Sequence, residues 1–133
     1  MGGPQLRLLE LAARVLRLTR TSSAILRLLA EEGEMVISQM VERLKVSRRS
    51  LYQNLKSLMT QGLVRRRAVD VGGRLAHAYS LAPLPEIVEV ISSRLRSLAD
   101  ELEDIRRELG LRDVGRPEPP GAPQAEEGAG RGG

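Results

Sequence analysis

The sequence has no cysteine, no phenylalanine and no tryptophan, and only one histidine and two tyrosines in 133 residues. Without cysteine there are no disulfides, no thiolate metal sites and no thiol nucleophile. With His77 as the single histidine, neither a zinc site nor a Ser-His-Asp hydrolase is expected. The scarcity of aromatics leaves Leu, Val, Ile and Ala to fill the core, which favours packed helices over a β-sandwich. No combination of nucleophile, base and oxyanion donors emerges. We therefore expect no enzyme, no metal and no cofactor.

Long apolar runs are missing as well. Arg7, Glu10, Arg14 and Arg17 break the N-terminal stretch into short pieces such as Leu11-Ala12-Ala13. That is far below the ~20 residues a membrane helix needs, and the same charges break any signal-peptide pattern. A cytoplasmic protein without a membrane partner is expected. Most of the Gly and Pro residues follow Leu109, so one modest core is all the chain can build. Residues 112–133, rich in Pro, Gly, Ala and Glu, are expected to form a disordered tail with no assigned role.

What is abundant is positive charge, and it is segregated. Residues 43–74 hold nine basic groups (Arg43, Lys45, Arg48, Arg49, Lys56, Arg65, Arg66, Arg67, Arg74) against Asp70 alone, a local charge of +8 within a net +4. Residues 1–42 sum to zero and residues 86–133 to −4. Such an arrangement suits one surface that meets a polyanion and another that does not.

The N-terminal residues 1–20 read as a helix greasy on most sides, buried in the core or in a dimer interface. Thr19 to Ser23 offer N-cap hydroxyls for a short helix over Ala24–Ala30, and Met35-Val36-Ile37 reads as a small strand. Ser38 is expected to cap a helix with Met40, Val41 and Leu44 inward. After a break at Lys45-Val46-Ser47, Ser47 is expected to cap a further helix from Arg48 to about Gln61. There Leu51, Leu55, Leu58 and Met59 mark the inward face, and the outward positions carry hydrogen-bond donors without a single acid. Gly62 ends this helix. Two strands, Leu63–Val69 and Leu75–Leu81, are joined by Asp70-Val71-Gly72-Gly73-Arg74. From Leu84 the aliphatics Leu84, Val88, Ile91, Leu95, Leu98, Leu102, Ile105 and Leu109 alternate at spacings of 4 and 3. That heptad pattern predicts a dimerisation helix over 84–111, its pairing parallel or antiparallel.

The run SQMVERLKVSRRSLYQNLKSLMTQGLVRRR, followed by VGGRLAHAYSL, resembles the winged helix-turn-helix transcription regulators of the MarR, PadR and TrmB types. The likeness covers roughly Ser22 to Leu81. It departs at the turn between the helices, where Lys45 stands at a place that commonly holds glycine. The fold implied is mainly α with a small β-wing. It comprises a winged helix-turn-helix domain at 21–83, the N-terminal helix, and the long C-terminal dimerisation helix.

The function implied is that of a homodimer that binds double-stranded DNA and regulates transcription. Arg48, Arg49, Ser50, Tyr52 and Gln53 would face base edges in the major groove. Ser38, Arg43, Ser47 and Lys56 would hold phosphates. The wing would bring Arg65, Arg66, Arg67 and Arg74, with Arg74 at the tip, where such proteins place a basic residue along the minor groove or backbone. Some of Arg65–Arg67 would merely keep an edge strand soluble. Tyr79 is expected to pack under the wing, His77 to be a half-buried strand residue, and Asp70 to make a turn hydrogen bond. Val88, Ile91, Leu95, Leu98, Leu102, Ile105 and Leu109 would form the dimer seam. A weakly specific, chromatin-type DNA binder and a protein-interaction module are the competing readings, the second disfavoured by the local charge. A leucine-lined dimer cleft would suit an apolar small-molecule effector, which the sequence does not identify.

Overall fold

The structure, a computed structural model, describes residues 3–111; the expected tail lies outside the described residues. Its elements run α1 (Gly3–Val15), α2 (Arg20–Glu32), β1 (Met35–Val36), α3 (Ile37–Leu44), α4 (Arg48–Thr60), β2 (Val64–Val71), β3 (Arg74–Leu81) and α5 (Leu84–Glu108). The strands form one antiparallel sheet in the order β1-β3-β2. This is a winged helix: three helices packed on a short sheet whose last two strands form the wing. Residues 1–100 make one compact unit; the described part of the second, residues 101–111, is mostly the last turns of α5. No helix among the described residues is long and apolar enough to cross a membrane.

The core is aliphatic, as the missing aromatics require. Ile25 and Leu26 of α2, Met40 of α3, and Leu51, Leu55 and Leu58 of α4 are fully buried, with Tyr79 of β3 beneath them. Only one side of α1 joins this core, through Leu9 and Ala12, while Leu6 is exposed. The helix stops at Val15, short of the expected residue 20, because Arg17 turns left-handed at φ 56°.

Local chemistry explains several other boundaries. Ser38 is not the cap of α3. Val36 occupies that position, and the Gln39 side chain accepts its N–H at 3.0 Å. Burial of Ile37 brings the first turn two residues earlier and leaves Ser38 exposed inside it. Helix α4 closes with Gly62 at φ 81°. The Gly62 N–H reaches Met59 O, and the Leu63 N–H reaches Leu58 O. This paired closure sets Leu63 against Leu58, both fully buried.

The hairpin is longer than the sequence suggested. Both Gly72 and Gly73 have positive φ, so these two residues alone make the turn and the strands extend to Val71 and Arg74. Asp70 Oδ1 accepts the Gly73 N–H at 2.8 Å, the turn hydrogen bond expected of it. His77 is exposed rather than half-buried, because it sits opposite Ala68, beyond the part of the sheet that the helices cover.

Candidate nucleic-acid interface

Helices α3 and α4 are joined by Lys45-Val46-Ser47, and Lys45 adopts φ 58° and ψ 38°. This is the left-handed conformation that glycine adopts freely, and a lysine there carries a strain of ~1–2 kcal/mol. The Lys45 N–H donates to Val41 O at 2.9 Å and closes α3. Ser47 then caps α4, its Oγ accepting the Ser50 N–H at 3.0 Å.

With Leu51, Leu55 and Leu58 facing in, α4 presents Arg48, Arg49, Tyr52, Gln53 and Lys56 to solvent on its opposite side. Tyr52 is 49% exposed. Ser50 is half-buried at the margin, its N–H held by Ser47 and its carbonyl accepting from Asn54 Nδ2 at 2.8 Å. Asn54 is a residue that sequence reasoning missed. Its Oδ1 accepts from Ser22 Oγ at 2.8 Å and from Thr19 Oγ1 at 2.6 Å. This network fixes the exposed helix against the start of α2. The one local hint was an amide placed between Leu51 and Leu55, at the edge of an apolar face.

The wing divides the arginine run. Residues paired across antiparallel strands share a face, so Arg65 and Arg67 lie with Ser80 and Ala78, and Arg66 lies with Tyr79. Arg65 Nη2 donates to Glu86 Oε1 at 2.5 Å. Arg67 grips Glu34 with Nε and Nη2, each at 2.7 Å from a carboxylate oxygen. Hydrogen bonding from Arg67 holds the Glu34 carboxyl below its usual range, against a smaller upward pull of desolvation. On α3, Arg43 pairs with Glu32 of α2 at 3.0 Å. Among the described residues, Arg48, Arg49, Lys56, Arg66 and Arg74 have no carboxylate partner. Arg74 sits beside the Gly72-Gly73 turn and is exposed.

Helix α5 uses two faces. Ile87 and Ile91 are buried in the domain core, Ile91 at 3% exposure. Ile91 therefore does not belong to a dimer seam. It lies at the boundary of the apolar stripe, one turn after Ile87, where α5 packs on the winged helix. Leu84, Val88, Leu95 and Leu98 remain 38–47% exposed, and Leu102, Ile105 and Leu109 are exposed in the second unit. An open groove of about 500 Å³ lies between Leu16, Gln61, Val90, Ser93, Arg94 and Ser97, more polar than a leucine-lined cleft. No group of His, Cys, Asp or Glu among the described residues is placed to hold a metal ion.

The sequence model of the MarR family matches residues 18–75, which run from the end of the first helix through the wing turn. Among solved structures, a possible transcriptional regulator from Methanosarcina mazei Go1 is 19% identical, with 74% of this chain and 85% of that chain covered and a TM-score of 0.66. The adhesin competence repressor of Streptococcus pyogenes is 20% identical over 70% of this chain and 66% of that one, at a TM-score of 0.44. A variant of Lactococcus lactis ZitR is 28% identical over 71% and 67%, also at 0.44. No curated protein sequence matches significantly.

Proposed function

We propose that this chain, whose winged helix is of the MarR type, is a DNA-binding transcriptional regulator that acts as a homodimer. The observation that carries this reading is the solvent side of α4, where Arg48, Arg49, Tyr52, Gln53 and Lys56 stand together on the second helix of a helix-turn-helix. In such proteins that helix enters the major groove. Arginine forks match guanine edges and the glutamine amide matches adenine, so Arg48, Arg49 and Gln53 are the base-reading candidates. Ser38, Ser47 and Lys56 would take phosphates, which set register without specifying sequence. The wing would add Arg66 and Arg74.

The exposed aliphatics of α5 support the homodimer. Solvent contact at Leu84, Val88, Leu95 and Leu98 is unfavourable, and full burial of each would contribute ~1.5–3 kcal/mol. The half-exposed face of α1 is available to the same partner. A two-fold dimer places its recognition helices on half-sites ~34 Å, or a multiple of it, apart.

Selection of bound fragments from random duplex DNA at ~0.15 M salt tests the proposal, because non-specific binding is strongly suppressed at that ionic strength. Enrichment of an inverted repeat is the expected result. Binding without enrichment would make the protein an architectural DNA binder, and no binding would leave the winged helix to a protein partner.

A further inference from the structure

Beyond Val64 and before Ala78, no residue of the β2–β3 hairpin is buried. A two-stranded ribbon of this kind has little stability of its own, so something at its root must set its angle. The root is where the two glutamates sit. Glu34 immediately precedes β1, and Glu86 lies in the first turn of α5. Arg67, Ala78 and Val36 form one row across the sheet, and the small Ala78 of the central strand leaves the Arg67 side chain a path over β3 to Glu34.

We propose that Arg65 and Arg67 are positioning residues that fasten the wing to α5 and to the α2–β1 junction, and that the wing meets DNA through Arg66 and Arg74 instead. The inference rests on the DNA-binding reading above and deepens it by dividing the wing's cations into two sets. The Arg67 fork is engaged at two points, which fixes its orientation as well as its position. While these bonds hold, Glu34 offsets the charge of the Nη1 donors left free, and taking a phosphate on the Nε–Nη2 edge would release both bonds. Glu34 would then face the duplex as an unneutralised anion. Glu86 likewise offsets the charge of Arg65, through the single bond from its Nη2. Arg66 and Arg74 face no such competition among the described residues, and the register puts Arg66 on the opposite sheet face from the clamped pair.

The test is the salt dependence of binding to a duplex of random sequence, which falls by about 0.9 in log–log slope for each phosphate contact removed. Wild type is compared with Arg74→Gln, with the double variant Glu34→Gln/Arg67→Gln, and with the charge-reversed pair Glu34→Arg/Arg67→Glu. Both double variants keep the net charge, and the first is a mild change should the reversal fail to fold. Arg74→Gln is expected to lose slope, whereas the double variants keep the wild-type value. A slope in Glu34→Gln/Arg67→Gln that falls as far as in Arg74→Gln overturns the assignment. Absence of duplex binding by wild type would instead overturn the DNA reading. The clamp is then decided by NMR titration of Glu34 in the Arg67→Gln variant. A rise of the Glu34 pKa to the ordinary carboxylate range upholds the fastening, and an unchanged titration refutes it.

Discussion

Asn54 of the exposed helix accepts a 2.8 Å hydrogen bond from the hydroxyl of Ser22, a residue 32 positions earlier and 2% exposed. This bond ties the orientation of α4 to α2. The Asn54→Leu variant would leave the Ser22 donor buried without its partner, a loss of ~1–3 kcal/mol. Adding Ser22→Ala should recover part of that loss, because the orphaned hydroxyl is gone. Chemical denaturation of the two single variants and the double closes the cycle, and simple additivity would show that the pair is not coupled.

Lys45 is held left-handed at φ 58° by the turn between α3 and α4. Glycine takes that conformation without strain but loses more chain entropy on folding. The balance predicts that Lys45→Gly stabilises the domain by about 0.5–1 kcal/mol, a rise of a few degrees in Tm. A Tm that falls would mean that the Lys45 side chain makes a favourable contact which outweighs the strain.

The Arg67–Glu34 pair has a pH signature. Because the Glu34 carboxyl titrates below its ordinary value of 4.5 in the folded chain, its stabilisation is complete above that value and is lost as pH falls through the lowered pKa. Wild type should therefore melt above Glu34→Gln at neutral pH, and the two should converge under acid conditions. Parallel melting curves across that window would show that the pair contributes nothing to folding.

Much of this architecture was legible because apolar spacing reports which side of an element faces in. Leu51, Leu55 and Leu58 defined α4, and the opposite positions emerged exposed. Ile91 was misread for the same reason. A period of 4 and 3 marks an apolar stripe but does not say which of two surfaces a residue at its edge will meet. Hydroxyls at helix starts satisfy N–H groups, which favours Ser38 as a cap, yet Gln39 makes an equivalent bond to Val36, two residues earlier. The clamps on Arg65 and Arg67 had no local signature at all. Their partners lie 21 and 33 residues away and are brought close only by the register of the sheet and the start of α5.

The α5 stripe predicts a measurable change in mass. Leu98 is 43% exposed, so Leu98→Asp removes little from the fold of one chain. Within a seam of aliphatics it would bury an unpaired carboxylate, which is strongly unfavourable. Sedimentation equilibrium at micromolar concentration should show wild type as a dimer and Leu98→Asp as a monomer with unchanged circular dichroism. A wild type that sediments as a monomer under these conditions removes the proposed interface.

Base reading and backbone holding should separate on a selected DNA site. Arg48 and Gln53 stand on the outer side of α4 and, among the described residues, have no partners that their removal would orphan, so alanine there probes recognition rather than folding. A lost bidentate contact is worth ~1–3 kcal/mol against the preferred base and little against others, so Arg48→Ala and Gln53→Ala should each relax discrimination at one position of the site. In the proposed complex Arg74 at the wing tip meets the backbone, so Arg74→Ala should weaken selected and random duplexes by the same factor. Titrating both duplexes with all three variants at one salt concentration makes the comparison. If Arg48→Ala weakened every duplex equally, α4 would be holding phosphates and sequence preference would have to come from the shape of the DNA.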